Sequence, residues 1–157
     1  MLSAVAVAAA FVTASPTGPT VRAPGLGFGE AIPVSTQTRF FQQRIPICRG
    51  GRRVTCVVDG DTIWLEGEKI RLLGIDAPEI GNTADCLKEK RIGRIATERM
   101  AAIVSSGPIE LRRRGKDRYG RTLATVFVDG RDAGELLRAD GLAVEYRGRA
   151  TAAPWCR

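Results

Sequence analysis

Apolar residues recur at two different spacings along this chain. Val54 to Val58, Thr62 to Leu65 and Ile70 to Leu73 are short runs of strand-forming residues, and Glu66-Gly67-Glu68 separates the last two as a turn. Such runs bounded by turn residues predict strands, and three so close together predict a meander. From Cys86 to Ser106 the spacing changes. Ile92, Ile95, Ala96, Met100, Ile103 and Val104 fall on one face at helical period, and Gly107-Pro108 closes the segment, so an amphipathic helix is expected. Ile109 to Arg112 and Thr122 to Val128 read as further strands, the latter ended by Asp129-Gly130. A last short helix is expected through Leu136 and Leu137, with Asp132 and Glu135 spaced as a capping box and Gly141 at its end.

Five strands with one helix after the third and another after the fifth do not make βαβ repeats, and an open sheet of them leaves bare edges. A mainly β fold with α, a five-stranded OB-fold barrel with flanking helices, removes those edges. Such barrels commonly present one face to nucleic acid.

Upstream of Cys48 the pattern fades. Residues 15–47 are rich in Pro, Gly, Thr and Ser without sustained periodicity and read as a linker or arm, which places the folded domain at 48–157. Met1 to Ala14 is an uncharged, alanine-rich apolar run that reads as a signal peptide or leader. It is short of the roughly 20 apolar residues that span a bilayer. Export to a secreted or periplasmic location is therefore expected, with no stable membrane span and a monomer as the working unit.

Composition sharpens this picture at three points. The apolar fraction of 44% in 157 residues suits one globular domain. The net charge of +7, from 24 Lys plus Arg against 17 Asp plus Glu, points to a polyanionic partner. The chain has 0 histidines, which excludes Ser-His-Asp and Cys-His hydrolysis and His-based zinc chemistry. A carboxylate must then do any general-base work. Cys48, Cys56, Cys86 and Cys156 show no Cys-x-x-Cys spacing. In an exported chain they imply two disulfides out of three pairings that four cysteines allow. Cys48 with Cys56 across the Arg49-Gly50-Gly51-Arg52 turn is the expected arrangement, leaving Cys86 to tether the tail through Cys156; in a reducing compartment four thiols are the simpler reading.

Carboxylates and arginines gather where packing does not ask for them, in Asp59-Gly60-Asp61-Thr62, in Arg71 to Glu79 and in Asp117-Arg118-Tyr119-Gly120-Arg121. Asp-Gly alone reads as a turn. Asp61 together with Asp76 supplies the oxygen ligands that a hard divalent cation prefers, and Pro78 keeps Ala77 extended with its carbonyl available. Arg71 and Arg121 can clamp a phosphate, and Glu79 can act as a base.

In order and spacing these pieces resemble the staphylococcal nuclease (thermonuclease) family from about Val54 to Tyr146. The motifs that carry the likeness are Val57 to Thr62, Ile70 to Glu79, Gly93-Arg94-Ile95-Ala96, Asp117 to Arg121 and Gly141-Leu142-Ala143. The resemblance implies an OB-fold, Ca2+ as cofactor, and hydrolysis of DNA and RNA that leaves 3′-phosphates. By position it implies Asp61, Asp76 and the Ala77 carbonyl as metal ligands, with Asp59 as a supporting carboxylate. It implies Arg71, Arg121 and Glu79 as catalytic groups, with Tyr119 lining the nucleotide site and Tyr146 stacking on a base. Ala77 stands where the best-known member has threonine. The tail after Tyr146 is too short for that member's C-terminal helix, so a Cys86–Cys156 bridge is expected to substitute for its contacts. The alternative is a non-catalytic nucleic-acid-binding module on the same fold.

Overall fold

In the computed structural model the described residues are 36–39, 44–148 and 154–157. The expected meander forms β2 (Cys56–Val57), β3 (Thr62–Leu65) and β4 (Glu68–Leu72), paired antiparallel in sequence order. Helix α1 (Leu87–Val104) follows, after the short β5 (Ile75–Asp76). Then come β6 (Ile109–Lys116), β7 (Thr122–Val128), β8 (Arg131–Asp132), α2 (Ala133–Ala139) and β9 (Val144–Glu145). A 3-10 turn, Pro154–Cys156, lies near the end.

The sheet is mixed and holds more strands than the five expected. One sheet runs β1 (Thr36–Arg39)-β6-β7-β4-β3-β2, with β8 pairing β7, and β5 pairs β9 separately. Pairing does not join the two ends of that path among the described residues. The coarser expectation, mainly β with two helices, is what the chain adopts.

Structure also occurs inside the stretch read as an arm. Strand β1 (Thr36–Arg39) lies inside the stretch read as a linker and pairs antiparallel with β6. Ile45 is 2% exposed and belongs to the core, so the folded unit begins upstream of Cys48; it runs Ile32–Arg157. Neither feature has an alternating pattern of its own, since the neighbouring sheet edge supplies the hydrogen bonds that order β1. The leader at 1–14 lies outside the described residues.

Alternation sets the core. In β7, Thr122, Ala124, Val126 and Val128 point inward, and β4 contributes Ile70 and Leu72. Helix α1 closes over them with Ala96, Met100, Ile103 and Val104. Ile95, expected on that face, is 48% exposed, and the buried stripe is completed by Gly93 and Thr97 instead. Glu68 ties three strands together. Arg113 from β6 donates to both of its carboxylate oxygens, at 3.2 and 2.7 Å, and Thr122 Oγ1 donates at 2.7 Å. The Arg113 fork holds the Glu68 carboxyl below its usual range.

Both disulfides take the expected pairing, Cys48–Cys56 and Cys86–Cys156. The second fastens the 3-10 turn, with Trp155 buried, to the start of α1, and Lys88 Nζ donates to the Arg157 carbonyl at 2.6 Å. Among the described residues no helix is long and apolar enough to cross a membrane.

Candidate active site

The turn between β2 and β3 brings Asp61 inward because Gly60 has no side chain. A Cβ at Gly60 would lie 2.6 Å from Ala77 Cβ and 3.1 Å from Ala96 Cβ, so the turn presses against the segment after β5 and against α1. Asp59 Oδ1 accepts from the Asp61 amide at 3.2 Å and shapes the turn. Asp61 Oδ1 then accepts from Thr62 Oγ1 at 3.1 Å, and Oδ2 accepts from the Ala77 amide at 2.9 Å.

Arg71 bridges the two acids. From β4 its Nη1 lies 2.6 Å from Asp61 Oδ2 and its Nη2 lies 3.0 Å from Asp76 Oδ1. The Tyr146 ring lies 5.9 Å from the guanidinium carbon, and its backbone amide donates to the Gly74 carbonyl at 2.9 Å. Asp61, Arg71, Asp76, Ala77 and Tyr146 thus lie together in one cluster.

Electrostatically the cluster lacks positive charge. Asp61 is 7% exposed, and burial pushes its carboxyl up to about 8 even though Arg71 and the Ala77 amide pull it down; Asp59 and Asp76 add to the rise. The donors around this deficit are all oxygens, and Asp76 Oδ2 has no hydrogen-bond partner among the described residues. An oxygen-seeking divalent cation fits that donor set and that charge deficit.

Glu79 is held by its backbone. Glu89, 3% exposed near the start of α1, accepts from the Glu79 amide at 3.3 Å and from the Asp85 amide at 2.7 Å. The Glu79 side chain accepts from Thr83 Oγ1 at 3.0 Å. Partial desolvation raises its carboxyl, and the charges of Asp59 and Asp76 add to this.

Arg121 and Tyr119 form a second group. Asp117 Oδ1 accepts from the Tyr119 and Arg121 amides, each at 2.9 Å, and Oδ2 accepts from Arg121 Nε at 2.6 Å. Desolvation opposes the charge on Asp117, but the Arg121 guanidinium and these amides outweigh it and hold the carboxyl below its usual range. Tyr119 is exposed, with the Arg118 and Arg121 guanidiniums 4.8 and 5.5 Å from its ring. No hydrogen bond or ion pair joins this group to the first among the described residues. The parallel pairing of β4 with β7 relates them, because Arg71 is opposite Leu123, and Arg121 shares that outward face two residues away.

Sequence reasoning missed Glu89 and Asp117 as positioning residues. Glu89 was detectable, since Cys86-Leu87-Lys88-Glu89 has the spacing of a capping box and Cys86 is the N-cap of α1.

The family model described as Staphylococcal nuclease homologue matches residues 69–154, more than half of the chain. The chain belongs to the staphylococcal nuclease homologue family. Among relatives of this homologue, Endonuclease YncB of Bacillus subtilis (strain 168) is 38% identical over 93 residues, covering 55% of this chain and 43% of the relative. Succinoglycan biosynthesis protein ExoI of Rhizobium meliloti (strain 1021) is 39% identical over 95 residues, covering 57% and 49%. Thermonuclease of Staphylococcus intermedius is 32% identical over 93 residues, covering 55% and 54%. The matched part of the homologue thus spans about half the length of these relatives.

A methyl group at Gly93 tests the packing that aligns the site. Its Cβ would collide with the Glu79 carbonyl and lie 2.8 Å from the Pro78 carbonyl. Helix propensity favours Ala over Gly by about 1 kcal/mol, while overpacking costs about 1–3 kcal/mol and more against rigid backbone. The clash wins, so Gly93→Ala is expected to lower stability by about 1–2 kcal/mol and to displace the backbone at Glu79. Urea unfolding checks this; a variant as stable as the parent would refute the close approach.

Proposed function

We propose that this chain is a calcium-dependent phosphodiesterase that hydrolyses DNA and RNA and leaves 3′-phosphates. The observation that carries the proposal is the Asp61–Arg71–Asp76 cluster, with two oxygen donors and an arginine around a buried charge deficit. Relatives named endonuclease and thermonuclease support it.

Asp61, Asp76 and the Ala77 carbonyl would hold Ca2+, with Asp59 supporting the turn. Bound there, the cation supplies Lewis-acid neutralisation of phosphate charge. Glu79, its carboxyl raised by partial burial, takes a proton from water as the water oxygen bonds to phosphorus. The bond from phosphorus to the 5′ oxygen breaks, the departing oxygen gains a proton from solvent, and the phosphate stays on the 3′ side. Arg71 and Arg121 stabilise the charge that grows on the phosphoryl oxygens. Tyr119 lines the nucleotide site, and Tyr146, beside Arg71, offers a face for a base. All of these groups come from one chain, which suits a monomer. The two disulfides favour a secreted or periplasmic location.

Digestion of single-stranded DNA and RNA by the purified chain tests this reading. Cleavage that needs calcium, stops with chelator and leaves 3′-phosphates is expected. A folded chain that binds nucleic acid without cutting it would instead be the binding module.

A further inference from the structure

The Cys48–Cys56 loop and the adjoining face of α1 frame a groove of about 950 Å³ that shares no residue with the cluster around Arg71. Arg44, Arg49, Arg52 and Arg53 line it, opposed by one acid, Glu98. None of these arginines makes an ion pair among the described residues. Elsewhere Arg71, Arg99, Arg112, Arg113, Arg121, Arg138 and Arg147 meet carboxylates, whereas Arg91, Arg94, Arg114, Arg118, Arg131 and Arg157 make no ion pair among the described residues and line no part of this groove. What sets the groove apart is that four guanidiniums without a carboxylate partner among the described residues share one concavity.

The frame beneath them is fixed. The disulfide closes the loop with a Cα separation of 4.9 Å. The Cys48 amide donates to the Val57 carbonyl at 2.7 Å, and the Val57 amide donates to the Pro46 carbonyl at 2.9 Å. On the opposite side Ser105 Oγ accepts from the Ile45 amide at 2.9 Å and donates to the Ala101 carbonyl at 2.6 Å, which ties the approach to β2 onto α1. Ile47 and Val54 are exposed on the lining, at 39% and 46%, and α1 presents the small side chains Ala101 and Ala102. Forked cations above an apolar, small-residue floor match a polymer that carries phosphates and also offers sugar and base surface.

We propose that this groove is a second nucleic-acid contact surface, in which Arg44, Arg49, Arg52 and Arg53 bind the phosphodiester backbone of a strand whose scissile bond lies at the Arg71 cluster. The proposal rests on the nuclease reading for the identity of the polymer. Connectivity makes joint occupancy feasible. Cys56 lines the groove, and Asp61 follows five residues later, a span of at most about 17 Å for extended chain. A substrate of several nucleotides can then touch both places, whereas a dinucleotide reaches the cleft alone. The groove raises affinity for long strands without touching the reacting atoms.

The test compares the full chain with Arg49→Gln/Arg52→Gln/Arg53→Gln and, separately, with Glu98→Lys. A single-stranded DNA 30-mer is titrated by fluorescence anisotropy in chelator across a salt series, and cleavage of the 30-mer and of a dinucleotide is measured with calcium. The triple variant is expected to bind the 30-mer about tenfold more weakly and to lose about 2 from the slope of log affinity against log salt. Its turnover of the dinucleotide stays unchanged, and Glu98→Lys binds the 30-mer more tightly. Matching melting temperatures confirm that both variants fold. Equal affinity and equal salt slope in parent and triple variant would overturn the groove. So would an arginine-dependent preference for a sulfated oligosaccharide of equal charge over the 30-mer. A chain that never cleaves yet shows the arginine-dependent binding would remove the nuclease reading and leave the groove standing; cleavage with no arginine dependence would do the reverse.

Discussion

Arg71→Met is expected to reduce cleavage about 10³-fold or more, because in the proposed mechanism one side chain both receives phosphoryl charge and is the main group lowering the Asp61 carboxyl. Its Nη1 and Nη2 lie 2.6 and 3.0 Å from Asp61 and Asp76, so methionine leaves two acids facing each other without a cation. Removing one partner from a buried ion pair commonly costs about 3–5 kcal/mol. Asp61 can evade part of that cost by taking up a proton, since its carboxyl already stands at about 8 in the folded chain. The sign follows from linkage. A carboxyl raised above its unfolded value binds its proton more tightly in the folded state, so stability falls as pH rises from the unfolded value toward the folded one. Without Arg71, the main group lowering Asp61, that decline extends to higher pH. In chelator the variant should therefore melt closer to the parent at pH 6 than at pH 9, while its calcium affinity drops at both. Cleavage within about tenfold of the parent would remove Arg71 from the transition state, and a stability gap independent of pH would remove it as the group that lowers the Asp61 carboxyl.

Which of these features the sequence displayed depends on whether a residue acts by its own pattern or through a neighbour. Strand β7 was legible because Thr122 to Val128 is a run of strand-forming residues ended by Asp129-Gly130, and the structure buries alternate positions of it. Strands β5 and β9, two residues each, are too short to carry a period, and they exist because Ile75 pairs Glu145 and Asp76 pairs Val144. Ile95 misled because hydrophobicity counts side-chain size, whereas α1 docks through the absence of one at Gly93, where backbone carbonyls take the space. The same division holds in the site. Asp61, Arg71, Asp76 and Glu79 announced themselves as chemically costly residues in clustered motifs. Glu89 and Asp117 bind amides of the residues they position, and such support shows in a sequence only where its spacing matches a known cap.

Glu79→Gln separates binding from chemistry with little structural change. The loop is held by the Glu79 amide on Glu89, a contact glutamine retains, and a glutamine oxygen can still accept from Thr83. What glutamine cannot do is take a proton from water at neutral pH. Removing a general base typically costs about 10²–10⁴ in rate, so cleavage should fall by that factor while binding of a DNA 30-mer in chelator stays within about threefold of the parent. Melting temperature should hardly move, or rise slightly, because desolvation and the charges of Asp59 and Asp76 disfavour the ionised carboxylate that glutamine replaces. The variant carries its own control for the alternative function, since a binding module would lose neither affinity nor any activity. Unchanged turnover in a chain that does cleave would shift the role of base from Glu79 to another carboxylate of the cluster, and Asp59, beside Asp61, would be the next group to replace.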